Sequence, residues 1–284
     1  MMQTTFMINE KLVQDYQSNG YAVVSDLFSA EEVSGFVEHF MAMRLRENAN
    51  GVRDIIGDNS DPLNQYARLM HPHRHDPRTM DWMLDARIAG WLTALCGKAP
   101  YAVQTMVYFK PAGARGQALH QDQFYLRVQP GTCIAAWMAL DDCDEENGCL
   151  QIVPGTQNLP VLCSVDADPT QSFTGDTVKL PEGMTPVPVI MKAGDVLFFN
   201  GQLVHGSYPN SSADRFRRSL IGHYIDADAQ QVAAWYKPVY RLDGTEVELD
   251  SSEWGGQCGV WVDKDGKPVV ELSGTETRQN YAIH

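Results

Sequence analysis

Two hydrophobic periods divide the chain. Over roughly the first hundred residues apolar positions recur every three or four residues, the spacing of one helix face. Ile8 to Ser18 reads as a short amphipathic helix, with Asn9 as cap ahead of Leu12 and Tyr16, and Gly20 ends it before a short strand at Tyr21–Val24. A second helix opens at Ser29, has Glu31 and Glu32 in its first turn, and carries the stripe Val33, Phe36, Val37, Phe40 and Met41. Asn48 to Pro62 has no period and reads as loop. Asp76 to Gly97 reads as further helix, its Trp82, Ile88, Trp91 and Leu95 facing a sheet.

From Ala102 the period changes to two. Strands are expected at Val103–Phe109, Leu119–Val128, Cys133–Leu140, Cys149–Val153, Val189–Ile190, Val196–Asn200 and Phe216–Ile225. Asn147-Gly148 predicts a hairpin between the third and fourth of these. Asn158 to Pro188 is rich in Pro, Thr and Asp with little pattern. A loop of that length between strands is usually functional, and a lid is expected. Beyond Ala227 the sequence predicts a helix at Ala229–Trp235 and a hairpin turning on Asp265-Gly266. Many short strands with tight turns predict a mainly β fold with flanking helices, an antiparallel double-sheet jelly roll. The expected organisation is one domain over 1–284: a helical flank (1–100), a jelly-roll core (101–226) with the lid at 158–188, and a C-terminal helix and hairpin (227–284).

Composition narrows the classes. The 284 residues are 44% hydrophobic and 20% charged, the profile of a soluble globular protein. A net charge of −14 argues against a nucleic-acid partner. No apolar run approaches the ~18 residues of a membrane span, and the N-terminus lacks a basic segment followed by an apolar one. No membrane partner and a cytoplasmic location are therefore expected. Six cysteines without a Cys-x-x-Cys pair predict reduced, mostly buried thiols, although Cys143 and Cys149 bracket a turn.

The chemistry concentrates in A-L-H-Q-D-Q-F-Y, where His120 and Asp122 stand two apart, and in L-V-H-G-S, which supplies His205. On an extended strand alternate side chains share a face. Two imidazoles and one carboxylate make the facial set that suits non-haem Fe(II), with other positions left open. A His-x-Asp pair by itself is common; its company strengthens it. Arg217 and Ser219 alternate on a late strand, and a guanidinium fork beside a hydroxyl suits a dicarboxylic co-substrate. His71, His73 and His75 recur at period two. No cysteine or carboxylate pair completes a ligand set there, so a solvated segment pinned open by Pro72 is expected rather than a metal site, with a pocket role open for Arg68 or His71.

Four motifs in order resemble the phytanoyl-CoA dioxygenase family of Fe(II)/2-oxoglutarate-dependent oxygenases: F-K-P-A-G-A-R-G-Q-A-L-H-Q-D-Q-F-Y, A-W-M-A-L-D-D-C-D-E-E-N-G-C-L-Q-I-V-P-G-T, G-D-V-L-F-F-N-G-Q-L-V-H-G-S and F-R-R-S-L. The resemblance is close over Tyr101 to Tyr224. It implies a cupin-like double-stranded β-helix, with Fe(II) held by His120, Asp122 and His205, and 2-oxoglutarate and O2 as co-substrates. Arg217 would grip the far carboxylate of 2-oxoglutarate beside Ser219. Ser207 and Trp137 would flank it, with Gln104 or Met106 contributing. Family halogenases have a small residue where Asp122 stands, so hydroxylation or a related oxidation is implied, with decarboxylation to succinate and CO2. Gln157 departs from the family's frequent histidine, outside the ligand set.

Tyr108, Phe124, Tyr125 and Arg115, with Arg68 and His71, are candidate contacts for a small-molecule substrate. No basic cluster for a CoA phosphate is evident. A monomer or homodimer is expected. Two other readings use the same barrel: a metal-dependent isomerase or hydrolase without a keto acid, and a non-catalytic metal-binding protein.

Overall fold

The computed structural model describes residues 8–49, 62–253 and 256–275. Most of the expected loop Asn48–Pro62 lies outside the described residues. The N-terminal part contains α1 (Glu10–Asn19), β1 (Tyr21–Val24), α2 (Ala30–Ala49), β2 (Leu69–Met70), α3 (Pro77–Met83) and α4 (Ala86–Cys96). Then come β3 (Tyr101–Lys110), β4 (Gln117–His120), the short α5 (Gln123–Leu126), β5 (Cys133–Ala139), β6 (Leu150–Ile152), β7 (Ser164–Asp166) and β8 (Asp176–Val178). They are followed by β9 (Val187–Val189), β10 (Val196–Asn200), β11 (His205–Ser207) and β12 (Arg217–Ile225). The last elements are β13 (Gln231–Ala233), β14 (Val239–Tyr240), β15 (Glu246–Val247), β16 (Asp250–Ser252), β17 (Gln257–Lys264) and β18 (Lys267–Thr275).

The expected jelly roll is present. A large sheet runs β1-β10-β5-β12-β3-β14-β15, with β2 also on β3, and a smaller one runs β4-β11-β6-β9. Strand parity decides what each face of the large sheet meets. Ala135, Trp137 and Ala139 of β5, with Leu197 and Phe199 of β10 and Ile221 of β12, pack with Leu150, Ile152 and Val189 of the small sheet. The alternate residues Ile134, Ala136, Met138, Val196 and Phe198 pack with the helices, against Phe36, Phe40, Trp91 and Leu92 among others. Both faces of the central strands are therefore apolar. A one-residue slip of β12 would send Arg217 into the helix layer, so register is strongly specified.

The helix ends follow the expected chemistry. The Asn9 side chain accepts from Lys11 N, and Gly20 closes α1 at φ 82°. Ser29 and Glu32 exchange reciprocal bonds, Oγ accepting from Glu32 N (3.2 Å) and Oε2 from Ser29 N (2.8 Å). The helix expected over Asp76–Gly97 is two helices, because Asp85 starts afresh by capping Arg87 N.

Several expectations fail, each for an identifiable reason. The Asn-Gly turn does not make a hairpin: β5 lies in the large sheet and β6 in the small one. Asn147 and Asp144 close the turn on each other, and the Asn147 amide also donates to the Asp142 and Phe216 carbonyls, which diverts the chain between sheets. Residues Ala229–Trp235 form no α-helix, and only a single 3-10 turn, Ala234–Tyr236, appears at the end of that stretch. Gln231–Ala233 instead pairs in parallel with Asp250–Ser252. His71 and His73 are buried rather than solvated (3% and 5% exposed), with His73 Nδ1 2.7 Å from Thr105 Oγ1.

The segment expected as a patternless loop is also folded. Its β7–β8 hairpin lies against β4: Ser172 Oγ accepts from Ala118 N (2.9 Å), and Thr177 Oγ1 donates to the Leu119 carbonyl (3.3 Å). Cys163 and Cys258 form a disulfide, contrary to the expectation of reduced thiols, while Cys96, Cys133, Cys143 and Cys149 are free. Bonds from Cys163 N to Gly259 O, Gly259 N to Val161 O, and Trp261 Nε1 to Lys179 O continue that seam onto the β17–β18 hairpin. No helix among the described residues is long and apolar enough to cross a membrane.

Candidate metal and co-substrate site

The small sheet explains how two distant histidines meet. His120 on β4 and His205 on β11 are direct cross-strand partners, their ring centroids 4.2 Å apart. The glycine of H-G-S permits this approach, since a Cβ on Gly206 would lie 2.6 Å from the Gln117 carbonyl oxygen. Asp122 arrives differently from the strand argument. Strand β4 ends at His120, and Asp122 has helical backbone angles (φ −63°, ψ −32°), its carbonyl accepting from Tyr125 N and Leu126 N at the start of α5. The turn, not a pleat, brings the carboxylate back beside the imidazole.

Asp122 Oδ1 lies 3.5 Å from His120 Nε2 and 3.7 Å from His205 Nε2. Among the described residues this is the one group of three with ligand-type atoms within 4.8 Å of one another, and all three residues are buried. Each imidazole is pre-set as a ligand. His120 Nδ1 lies 2.8 Å from the Ala118 carbonyl and His205 Nδ1 3.0 Å from that of Leu203. A carbonyl only accepts, so the protons sit on Nδ1 and the Nε2 lone pairs face Asp122. Burial pushes the His205 pKa down to about 4, and the neighbouring Asp122 opposes that. Burial opposes ionisation of Asp122, but the neighbouring His205 and His223, with the His223 hydrogen bond, override that and hold it well below the usual carboxylate range. Two imidazole nitrogens and one carboxylate, each buried and facing the others, fit a ferrous ion.

Strand β12 points Arg217, Ser219, Ile221 and His223 to the barrel interior. Each faces a residue of matching parity on β3, giving the pairs Lys110–Arg217, Tyr108–Ser219, Met106–Ile221 and Gln104–His223. Arg217 is 3% exposed; Nε donates to the Gly148 carbonyl (2.9 Å), Nη1 to Ser219 Oγ (3.2 Å), and Cζ lies 5.4 Å from the Trp137 ring centre. Lys110 is buried beside it. Its Nζ donates to Ser207 Oγ (2.8 Å) and the Tyr208 carbonyl (2.5 Å), and burial followed by the Arg217 charge pushes its pKa well below the ordinary value.

The family model for phytanoyl-CoA dioxygenase (PhyH) matches residues 16–219. The chain belongs to that family. Members are 2-oxoglutarate-dependent non-haem iron oxygenases, and iron and 2-oxoglutarate are the cofactor and co-substrate of this one. Phytanoyl-CoA dioxygenase 1 of Oryza sativa subsp. japonica is 31% identical over 213 residues, 72% of this chain and 71% of that one. The peroxisomal phytanoyl-CoA dioxygenase of Bos taurus is 26% identical over 257 residues, 84% of this chain and 75% of its own. Among solved structures, the non-heme alpha ketoglutarate dependent epimerase SnoN of nogalamycin biosynthesis superposes with a TM-score of 0.62 at 27% identity, covering 78% of this chain and 84% of its own. The carbocyclase SnoK of the same biosynthesis gives 0.63 at 25%, covering 78% and 86%.

Other expected residues fall near this phytanoyl-CoA dioxygenase-type centre in differing degree. Tyr125 is closest, its ring centroid 5.9 Å from that of His120, and Phe124 packs edge-on against Tyr125 at 5.0 Å. Arg68 Nη1 lies 3.4 Å from the Tyr108 hydroxyl. His71 lies 3.5 Å from Gln104 Nε2 and 5.0 Å from the Trp235 ring. Arg115 turns elsewhere: it donates to the Pro169 and Ser172 carbonyls and fastens the 158–188 segment. Gln157 donates to the Ser18 carbonyl at 3.0 Å, a link to the end of α1.

Sequence reasoning passed over Lys110 and His223. Both carried a signal. His223 shares the parity of Arg217 and Ser219, and Lys110 is a cation closing the mainly apolar run Met106–Phe109 of its strand.

Proposed function

We propose that this oxygenase hydroxylates an unactivated C–H bond of a small metabolite, coupled to conversion of 2-oxoglutarate to succinate and CO2. What carries the reading is the joint placement of the His120–Asp122–His205 cluster and the buried Arg217 inside one barrel. Bound iron, with 2-oxoglutarate and O2, supplies the oxidising chemistry. The protein supplies position and dryness.

His120, Asp122 and His205 would hold the metal on one side and leave the other side free. Arg217, with the Ser219 hydroxyl and the neighbouring Lys110 and Ser207, would receive the far carboxylate of the diacid; the Trp137 face lies against the guanidinium. Met106, paired with Ile221 between the two polar ends, would border the carbon chain, and Gln104 lies one pair further along. Tyr125, Phe124 and Tyr108, with Arg68 and His71, would contact the substrate, and the 158–188 segment would close over it. Aromatic groups beside one guanidinium favour a compact substrate with an anionic or polar end.

The test is optical. Anaerobic Fe(II) plus 2-oxoglutarate is expected to give a weak visible charge-transfer band, absent in Arg217→Ala and Asp122→Ala. A band that survives Arg217→Ala would remove the co-substrate assignment. Labelled O2 appearing in the organic product would distinguish hydroxylation from the ring closure or epimerisation named for SnoK and SnoN.

A further inference from the structure

The two oxygens of Asp122 keep different company. Oδ1 faces His120 and His205. Oδ2 lies 3.0 Å from Nε2 of His223. A carboxylate oxygen accepts and an imidazole N–H donates, so the His223 nitrogen is the donor. His223 is 2% exposed, and its Nδ1 has no hydrogen-bond partner. A buried polar atom left in that state asks for a reason, and the bond to Asp122 provides one.

The two residues also differ in how firmly their backbones are held. Asp122 sits past the end of β4, at the head of a four-residue helix. His223 lies in a strand paired on both edges, with Gln104 of β3 on one side and Ala135 of β5 on the other. The ligand stands on a turn, and its partner stands in a strand paired on both sides.

We propose that His223 is a positioning residue for the iron centre: its Nε2–H captures Oδ2 of Asp122 and leaves Oδ1 alone for the metal. Asp122 then binds through one oxygen. The position that its second oxygen would otherwise take stays open to 2-oxoglutarate or O2. This rests on reading His120, Asp122 and His205 as the metal ligands, and the experiment separates the two ideas.

Co(II), which is stable in air and gives visible bands, is titrated into the metal-free full-length protein, Asp122→Ala, His223→Leu and His223→Gln. Far-UV circular dichroism and the denaturation midpoint verify each fold. Leucine removes the donor, while glutamine restores an N–H of similar reach. His223→Leu is expected to bind Co(II) roughly 10- to 100-fold more weakly than wild type, and His223→Gln within about threefold of it, the range seen when partners of metal ligands are lost or kept. The Co(II) form of His223→Leu is also expected to bind 2-oxoglutarate more weakly. A folded His223→Leu with wild-type Co(II) and 2-oxoglutarate affinities overturns the proposal, as does a glutamine variant that falls as far as leucine. If leucine does not fold, His223→Asn, whose amide stops short of Asp122, is read by the same criteria. If wild type and Asp122→Ala bind Co(II) equally, the metal-site reading itself has failed.

Discussion

Lys110 and Arg217 are cross-strand partners whose side chains share one acceptor, the Gly148 carbonyl, at 3.5 and 2.9 Å. Two cationic side chains buried together strongly disfavour each other unless an anion joins them. Both depart from their ordinary pKa in the same direction, downward, mainly through burial. Under the proposed function the pair would serve as the socket for a carboxylate.

Replacing either cation is therefore expected to act on 2-oxoglutarate more than on the fold. Arg217→Ala is expected to weaken 2-oxoglutarate binding by about 100-fold, or ~2.7 kcal/mol, within the range for truncating one member of a buried charged pair. Lys110→Met is expected to weaken it by about tenfold. Titration calorimetry measures both, and the thermal stabilisation given by saturating 2-oxoglutarate should shrink in the same order. Equal affinity in Lys110→Met and wild type would show that the lysine serves packing alone.

Stability should depend on pH through His71 and His73. Burial, followed by the Arg74 charge, pushes the first down to about 3 and the second to about 4. Both folded values lie below the unfolded value near 6.5, so the unfolded chain takes up protons first as pH falls. Their contribution is full above pH ~6.5 and is lost progressively as pH falls from about 6.5 to about 4 for His73 and about 3 for His71, amounting to several kcal/mol for the two together. Urea midpoints at pH 7.5 and 5.0 read this directly. His73→Gln should flatten the dependence, and an unchanged slope in that variant would refute the assignment.

The Cys163–Cys258 bond joins residues 95 apart in sequence and fastens the β17–β18 hairpin to the segment that packs on β4. Cys163→Ser is expected to cost about 2–4 kcal/mol and lower the melting temperature by about 5–10 °C. A reducing agent should shift wild type equally and leave the variant unmoved. Identical melts with and without reductant would show that the bond adds nothing.

Asn147 is 1% exposed and its amide joins the Asp142 and Phe216 carbonyls. Asn147→Ala strands both acceptors and is expected to cost about 2–3 kcal/mol. Because Phe216 precedes Arg217, 2-oxoglutarate affinity should fall as well. A destabilised variant with unaltered affinity would separate the turn from the socket.

What the sequence disclosed was side-chain type and parity. His120, Asp122, His205 and the Arg217–Ser219 alternation were legible because metal ligands and strand period leave local marks. What escaped depended on contacts between distant segments. Asp122 looked like a strand residue because H-x-D fits a pleat, yet its carbonyl starts a helical turn. Asn147-Gly148 carries the composition of a hairpin, and only the reach of Asn147 to Phe216, 69 residues away, shows why the chain changes sheets instead. The Cys163–Cys258 pairing has no local signal at all. His223 could be placed facing inward, but its bond to Asp122 spans 101 residues.

Strand β12 has a consequence for redesign. It carries Arg217 at one end and His223 six residues on, about 20 Å of extended chain, and it is clamped along both edges. Under the proposed function that makes it a ruler: the strand would set the gap between the metal ligands' partner His223 and the guanidinium that receives the diacid. Apart from Tyr108 on β3, the candidate substrate contacts belong to α5 and to the segment around Arg68 and His71, which with the 158–188 segment lie outside that strand. Catalysts with new substrates should therefore be obtainable by exchanging those outer pieces while the appetite for a five-carbon keto diacid stays as it is.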